Sequence, residues 1–182
     1  MVKEIIEEIS LPEGANIAAK KDEVEITLNG KTIKKKFNSG RIELEVKNGK
    51  LIIKVKEHKR RGLALMNTVK KIIKNIEIGL TKGYEYKLSV VYTHFPMTVK
   101  VQNKVLEIGN FTGEKTIRRA KILGDTKVTV KGKEVVVEGV NKEDVSLTAS
   151  NIENISKVRG KDIRVFQDGI YITKKGEKDA SN

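Results

Sequence analysis

The sequence predicts an α+β fold made of two tandem, similar small domains, each an antiparallel or mixed sheet packed by one main helix. Short stretches alternate apolar and polar residues with the two-residue period of half-buried strands, and turn residues separate them. Two longer stretches carry apolar residues at helical spacing. A single offset of 83 residues then aligns the strand-plus-helix pattern of one half with that of the other, from Lys50 with Lys133 through Ile72 with Ile155.

Each element follows from local chemistry. Val24, Ile26 and Leu28 alternate, Asn29-Gly30 turns, and Thr32-Ile33 through Phe37 returns. Ile42, Leu44 and Val46 alternate next. Asn48-Gly49 offers the positive φ that a tight hairpin turn needs, and Leu51 through Val55 runs back. A helix follows, with Met66, Val69, Ile73 and Ile76 on one apolar stripe. His58-Lys59-Arg60-Arg61 crowds its start, where positive charge opposes the macrodipole, a conflict that marks residues chosen for function. Thr81-Lys82-Gly83 ends it, since Gly suits a left-handed cap.

In the second half Val99 and Val101 alternate, Asn103 lies near the turn, and Val105 through Ile108 returns. Val128 and Val130, the Lys131-Gly132 turn and Val135-Val136-Val137 repeat the earlier hairpin with a turn one residue shorter. Asn141 is placed to cap a second helix, Glu143 and Asp144 complement its dipole, and Ala149, Ile152 and Ile155 share one side. Asp168-Gly169 between apolar segments predicts a closing type I′ hairpin. The expected domains are therefore residues 1–82 and 83–174, and the polar stretch 175–182 is expected to be a flexible tail.

Composition narrows the function. At 182 residues the chain can bury one core or two small ones. Charged residues at 34%, mostly Lys and Glu with abundant Ile and no Cys, resemble a thermophile's usage. The net charge of +13 is spread over both halves: residues 1–82 hold 19 Lys/Arg against 11 Asp/Glu, and residues 83–182 hold 18 against 13. Such a balance points to a polyanionic partner, with a merely soluble basic domain as the competing reading. The absence of Cys excludes disulfide and thiolate chemistry and fits a reducing cytosol. No apolar run approaches the roughly 20 residues of a membrane helix. The acidic start (Glu4, Glu7, Glu8) differs from a secretory signal, so a cytoplasmic protein is expected.

Catalysis has little to work with. His58 and His94 are the two histidines, outside any His-x-x-x-His spacing, and no Cys can join them around zinc. Gly132-Lys133 lacks the upstream Gly and the Ser/Thr of a phosphate loop. The expectation is no enzyme, no cofactor, no metal, no small-molecule substrate and no membrane.

Longer motifs carry a family resemblance. Lys161-Asp162-Ile163-Arg164-Val165-Phe166-Gln167-Asp168-Gly169, followed by Ile170-Tyr171-Ile172, resembles the C-terminal signature of the sixth large-subunit ribosomal protein family, in its archaeal and eukaryotic branch. Gly83 through Leu88, then Val91 through Pro96, resembles the opening of that family's second domain. Asn110 through Lys115 with Ile117-Arg118-Arg119 is similar to its basic loop, and Val145 through Ala149 with Asn151-Ile152-Glu153 to its last helix. The resemblance implies the same duplicated two-domain α+β architecture. It also implies a structural constituent of the large ribosomal subunit, attached to large-subunit rRNA mainly through the C-terminal domain. The attachment would lie near the factor-binding region and the sarcin–ricin loop, beside neighbouring large-subunit proteins. The alternative is a free-standing basic nucleic-acid-binding module, such as a chromatin protein or RNA chaperone outside the ribosome.

Candidate RNA-binding residues follow from charge and position. Lys115, Arg118, Arg119 and Lys121 cluster beside Gly113, whose missing side chain would let backbone approach a phosphate. The competing reading is a strand edge guarded by solvated Lys, and the family resemblance favours RNA. Arg118 and Arg119 point to opposite faces of a regular strand, so at most one faces RNA. Lys157, Arg159, Lys161 and Arg164 precede the predicted hairpin; a helix C-terminus would explain the first two, whereas the Arg164 fork suits bidentate phosphate binding. Lys174 and Lys175 extend this patch. Among the loop aromatics, Tyr92 and His94 are expected to meet RNA, Phe95 to anchor the core, and Asp168 to serve its turn. Lys34-Lys35-Lys36 and Lys59-Arg60-Arg61 are either solvated or secondary contacts.

Overall fold

A computed structural model describes residues 4–10, 14–20, 23–28, 30–37, 40–47, 50–57 and 59–178. Asn29, Asn48-Gly49, His58 and residues 179–182 lie outside the described residues, and so do the expectations attached to them. The chain divides into two compact units, Met1–Thr81 and Lys82–Asn182.

Unit 1 runs β1 (Glu4–Ser10), β2 (Asn16–Lys20), β3 (Glu23–Leu28), β4 (Lys31–Lys36), β5 (Ile42–Lys47), β6 (Lys50–Lys56) and α1 (Lys59–Thr81). Its strands form two antiparallel sheets, ordered β1-β6-β5 and β2-β3-β4. Unit 2 runs β7 (Tyr84–Val91), β8 (Thr98–Gln102), β9 (Val105–Gly109), a 3-10 turn (Phe111–Gly113), β10 (Arg118–Lys121), β11 (Lys127–Lys131), β12 (Glu134–Gly139), α2 (Lys142–Ile155) and β13 (Gly169–Glu177). Its sheets are β11-β12-β7-β13 and β10-β9-β8, again antiparallel throughout. Strands β7 to β12 thus take the places of β1 to β6 one for one. The helices start at Lys59 and Lys142, separated by the same 83 residues that the sequence repeat shows.

The fold is α+β and duplicated, with two sheets in each unit where one was expected. The reason lies in the hairpins. In β3 every second residue is buried, with Val24, Ile26 and Leu28 inward, so the β2–β4 meander has an apolar face of its own to cover. The α1 stripe of Met66, Val69, Ile73 and Ile76 is buried and packs on strands of both sheets. Each such side chain contributes roughly 1.5–3 kcal/mol by leaving water. In unit 2 the run Val135-Val136-Val137 is buried on both sides of the sheet, as befits an interior strand.

Turns and caps follow from residue type. Asn141 accepts a hydrogen bond from the Glu143 backbone N–H (3.1 Å), capping α2, while α1 has no acid in its first turn. Gly83 adopts φ +83° after α1. Asn103 and Lys104 both have positive φ and join β8 to β9 as a two-residue hairpin loop. The C-terminal stretch needs correction: Lys175, Gly176 and Glu177, expected in a flexible tail, belong to β13 and pair with Tyr86, Glu85 and Tyr84. Polar composition misled there, because an edge strand needs only backbone partners and one covered face.

Candidate nucleic-acid interface

Three irregular segments of unit 2 are tied together: residues 92–97 after β7, residues 110–117 before β10, and residues 156–168 between α2 and β13. Asp168 joins the first and third of them, while Arg118 and Asn110 tie in the second. The Asp168 carboxylate is fully buried and accepts hydrogen bonds from the Thr93 N–H (2.9 Å), the Thr93 hydroxyl (3.4 Å) and His94 Nδ1 (3.2 Å). Burial pushes this carboxyl up, but hydrogen bonds from the Thr93 backbone and from His94 outweigh it and hold Asp168 below the usual carboxylate range. The His94 ring stacks on Phe166, with centroids 4.5 Å apart and planes at 24°, and Lys161 Nζ lies 4.5 Å from the Phe166 ring centre.

The predicted Asp168-Gly169 hairpin is therefore not formed. Asp162 captures the chain locally: its carboxylate accepts from Arg164 N–H (2.9 Å), and its carbonyl accepts from the N–H of Val165 (3.1 Å) and of Phe166 (2.9 Å). This turn replaces the strand that would have paired with β13. β13 pairs with β7 instead, and Ser156 pins its start, its hydroxyl accepting from Ile170 N–H (2.9 Å). Gly169 lies outside the left-handed region. Its role is close approach, since a Cβ there would sit 2.9 Å from Tyr171 Cζ, whose ring folds back to donate its OH to the Gln167 carbonyl (3.1 Å).

Arg118 does not face solvent. It is 19% exposed, grips the Glu114 carboxylate through Nε (2.9 Å) and a second nitrogen, and donates to the carbonyls of Ile155 (2.8 Å) and Lys157 (3.0 Å). Its guanidinium lies 4.0 Å from the centre of the fully buried Phe111 ring. The Arg118 hydrogen bond holds the Glu114 carboxyl down against burial, helped by the charges of Arg118 and Lys161. A fork so occupied fixes loops to each other and has little left for phosphate.

The other candidates separate into groups. Lys115, Lys121 and Arg159 are exposed and, among the described residues, meet no acid. Lys161 is exposed and rests on Phe166. Arg119 pairs with Glu107 (2.8 Å), Arg164 with Asp162 (2.8 Å), and Lys157 Nζ donates to Asn154 Oδ1 (2.8 Å). Lys174 and Lys175 sit on β13 opposite Lys87 and Tyr86. At about 3.4 Å per residue they are some 17–20 Å along the strand from Gly169, away from the loop junction.

Phe95, expected in the core, is 45% exposed; Phe111 fills the core there instead. Gly113, at φ +82°, seats the Phe95 ring, since a Cβ would lie 3.4 Å from its Cε2. The missing side chain at 113 thus serves an aromatic ring within the protein. Tyr92 is half-buried under Lys133 Nζ, 4.7 Å from its ring centre. Sequence reasoning missed Lys133 and Phe166; the signal for the latter was the aromatic between Lys161 and the acidic Asp168.

A duplicated α+β scaffold whose second copy gathers cations and rings on joined loops defines a basic two-unit protein without a catalytic constellation among the described residues. The family profile described as Ribosomal protein L6 matches residues 95–169. The large ribosomal subunit protein uL6 of Methanosarcina mazei is 45% identical over 96% of this chain and 99% of its own. That of Methanosphaera stadtmanae is 42% identical over 98% and 99%, and that of Staphylothermus marinus 45% identical over 96% and 97%. The chain belongs to the uL6 family of large-subunit ribosomal proteins, a family of structural proteins and not of enzymes.

Proposed function

We propose that this protein is a structural constituent of the large ribosomal subunit in the cytoplasm, binding large-subunit rRNA mainly through unit 2, near the factor-binding region and the sarcin–ricin loop, beside neighbouring large-subunit proteins. The observation that carries this reading is near-full-length likeness to proteins named for the large subunit. The loop junction supports it physically. Lys115, Lys121, Arg159 and Lys161 would meet phosphates, Tyr92 and His94 would meet bases, and Arg119, Lys157 and Arg164 would flank them. Lys174 and Lys175 would form a separate contact along β13. Arg118 holds the face in shape, and Gly113 does so through Phe95.

Recognition would be by backbone and shape, because the A-form major groove is too narrow for side chains to read. Neutralising about six to ten phosphates makes such affinity fall by orders of magnitude from low to moderate salt. The test is sedimentation: the protein is expected to stay with large subunits through a high-salt wash. Its absence from that fraction, with equal binding to any duplex, would overturn the proposal in favour of a free-standing module.

A further inference from the structure

We infer that His94 is the open end of a stacking column that receives one unpaired rRNA base, with Asp168 as its positioning residue. The inference deepens the rRNA-binding reading above and rests on it. The column has three members. Lys161 Nζ and the His94 ring each lie 4.5 Å from the Phe166 ring centre. Phe166 thus carries an ammonium and an imidazole together, and His94, 35% exposed in its side chain, is the column's outer ring.

His94 is held on one edge and on one face. Its Nδ1 edge faces the buried Asp168 carboxylate at 3.2 Å and the Thr93 hydroxyl at 2.9 Å. With a carboxylate beside it, Nδ1 carries the proton, which fixes the ring plane. The backbone carrying it is also fixed, by Thr93 N–H on Asp168 and by Asn110 Nδ2 on the Pro96 carbonyl (3.0 Å). One face of the imidazole lies on Phe166 and one edge is occupied, so its 35% side-chain exposure falls on the opposite face and the Nε2 edge. Phe95, itself 45% exposed, stands next in the chain. A flat ring pre-set in this way loses little freedom when a base stacks on it. Bases inside a duplex have no free face, so the column selects an unpaired, splayed-out nucleotide.

Base-reactive chemical probing of large-subunit rRNA with the full chain tests this. Wild type is expected to protect one unpaired base that His94→Ala leaves reactive, and His94→Ala should bind about 5- to 100-fold more weakly. An rRNA fragment with that nucleotide made abasic should lose the same factor, and the two losses should not add. His94→Phe should restore protection. Asp168→Asn should weaken protection of that base alone, with the others intact. Equal cost of His94→Ala on intact and abasic fragments, or no change in any protection, overturns the inference; if Lys115→Ala with Lys121→Ala still weakens binding, the rRNA reading survives. Uniform loss of all protections in Asp168→Asn would reduce Asp168 to a purely structural role. Failure of the wild-type chain to bind large-subunit rRNA would remove both readings.

Discussion

Units 1 and 2 share strand order and helix position, yet their charges are arranged differently. Unit 1 carries the larger net charge, but strand register neutralises much of it. Lys34 meets Glu25 across β3 and β4 (3.0 Å), and Lys54 and Lys56 meet Glu45 and Glu43 across β5 and β6 (2.8 and 2.9 Å). Arg41 pairs with Glu57 and Lys70 with Glu7. Phe37 is the one aromatic residue of this half, and it is buried. In unit 2 the strand arginines pair as well, Arg119 with Glu107 and Arg118 with Glu114, whereas Lys115 and Arg159 on irregular loops, and Lys121 at the end of β10, have no acid partner among the described residues. Net charge therefore does not tell where the unpaired cations lie. A ladder places opposite charges face to face at fixed spacing, and loops impose no such matching.

What unit 2 adds to the shared plan is β13 and the segment that leads into it. That addition brings Phe166 and Asp168 against the loop after β7. Duplication supplied the scaffold, and the appended strand supplied the loop junction.

The comparison can be broken most forcefully at Arg118. Arg118→Ala should destabilise unit 2 by about 2–4 kcal/mol, because Glu114 and two carbonyls lose their partner. Chemical denaturation followed by hydrogen exchange in unit 2 measures this, and a loss under about 1 kcal/mol would show the fork to be dispensable. Next comes the acid limb of stability. Asp168 has a lowered folded-state value, so its contribution is fully present above the unfolded value of about 3.9 and is lost as pH falls through the folded value. Acid titration should show this dependence in the wild type and a flatter profile in Asp168→Asn.

A smaller effect distinguishes unpaired cations from paired ones. Lys115→Ala with Lys121→Ala should weaken rRNA binding about ten-fold and reduce the salt slope by about one to two, while Lys34→Ala with Lys54→Ala changes it little, by filter binding at fixed salt. Equal losses would erase the contrast between the units. Asn141→Ala should cost about 1 kcal/mol by uncapping α2. Smallest of all, Lys34→Ala should shift stability by under about 0.5 kcal/mol, as expected for an exposed cross-strand pair.

These contrasts also mark where sequence reading stops. Both helices, the repeat and the alternating strands were legible because hydrophobic period is a local property, visible in Met66-Val69-Ile73-Ile76 and in Val24-Ile26-Leu28. So was the Asn141 cap, which needs only its neighbours. The Asp168-Gly169 pair looked like a hairpin because turn chemistry is also local, but a distant partner won. Thr93 and His94, some 75 residues away, offered a buried carboxylate better bonds than a turn could.

By itself the sequence determined the α+β class, the duplication and the basic character, since periodicity, offset and charge are all written along one dimension. Only the tertiary structure decided which cations are spent on neighbours, that Phe95 lies outside while Phe111 fills the core, and that β13 pairs with β7. Those outcomes depend on competition among partners far apart in the chain, where burial makes one good hydrogen-bond set outweigh any local preference.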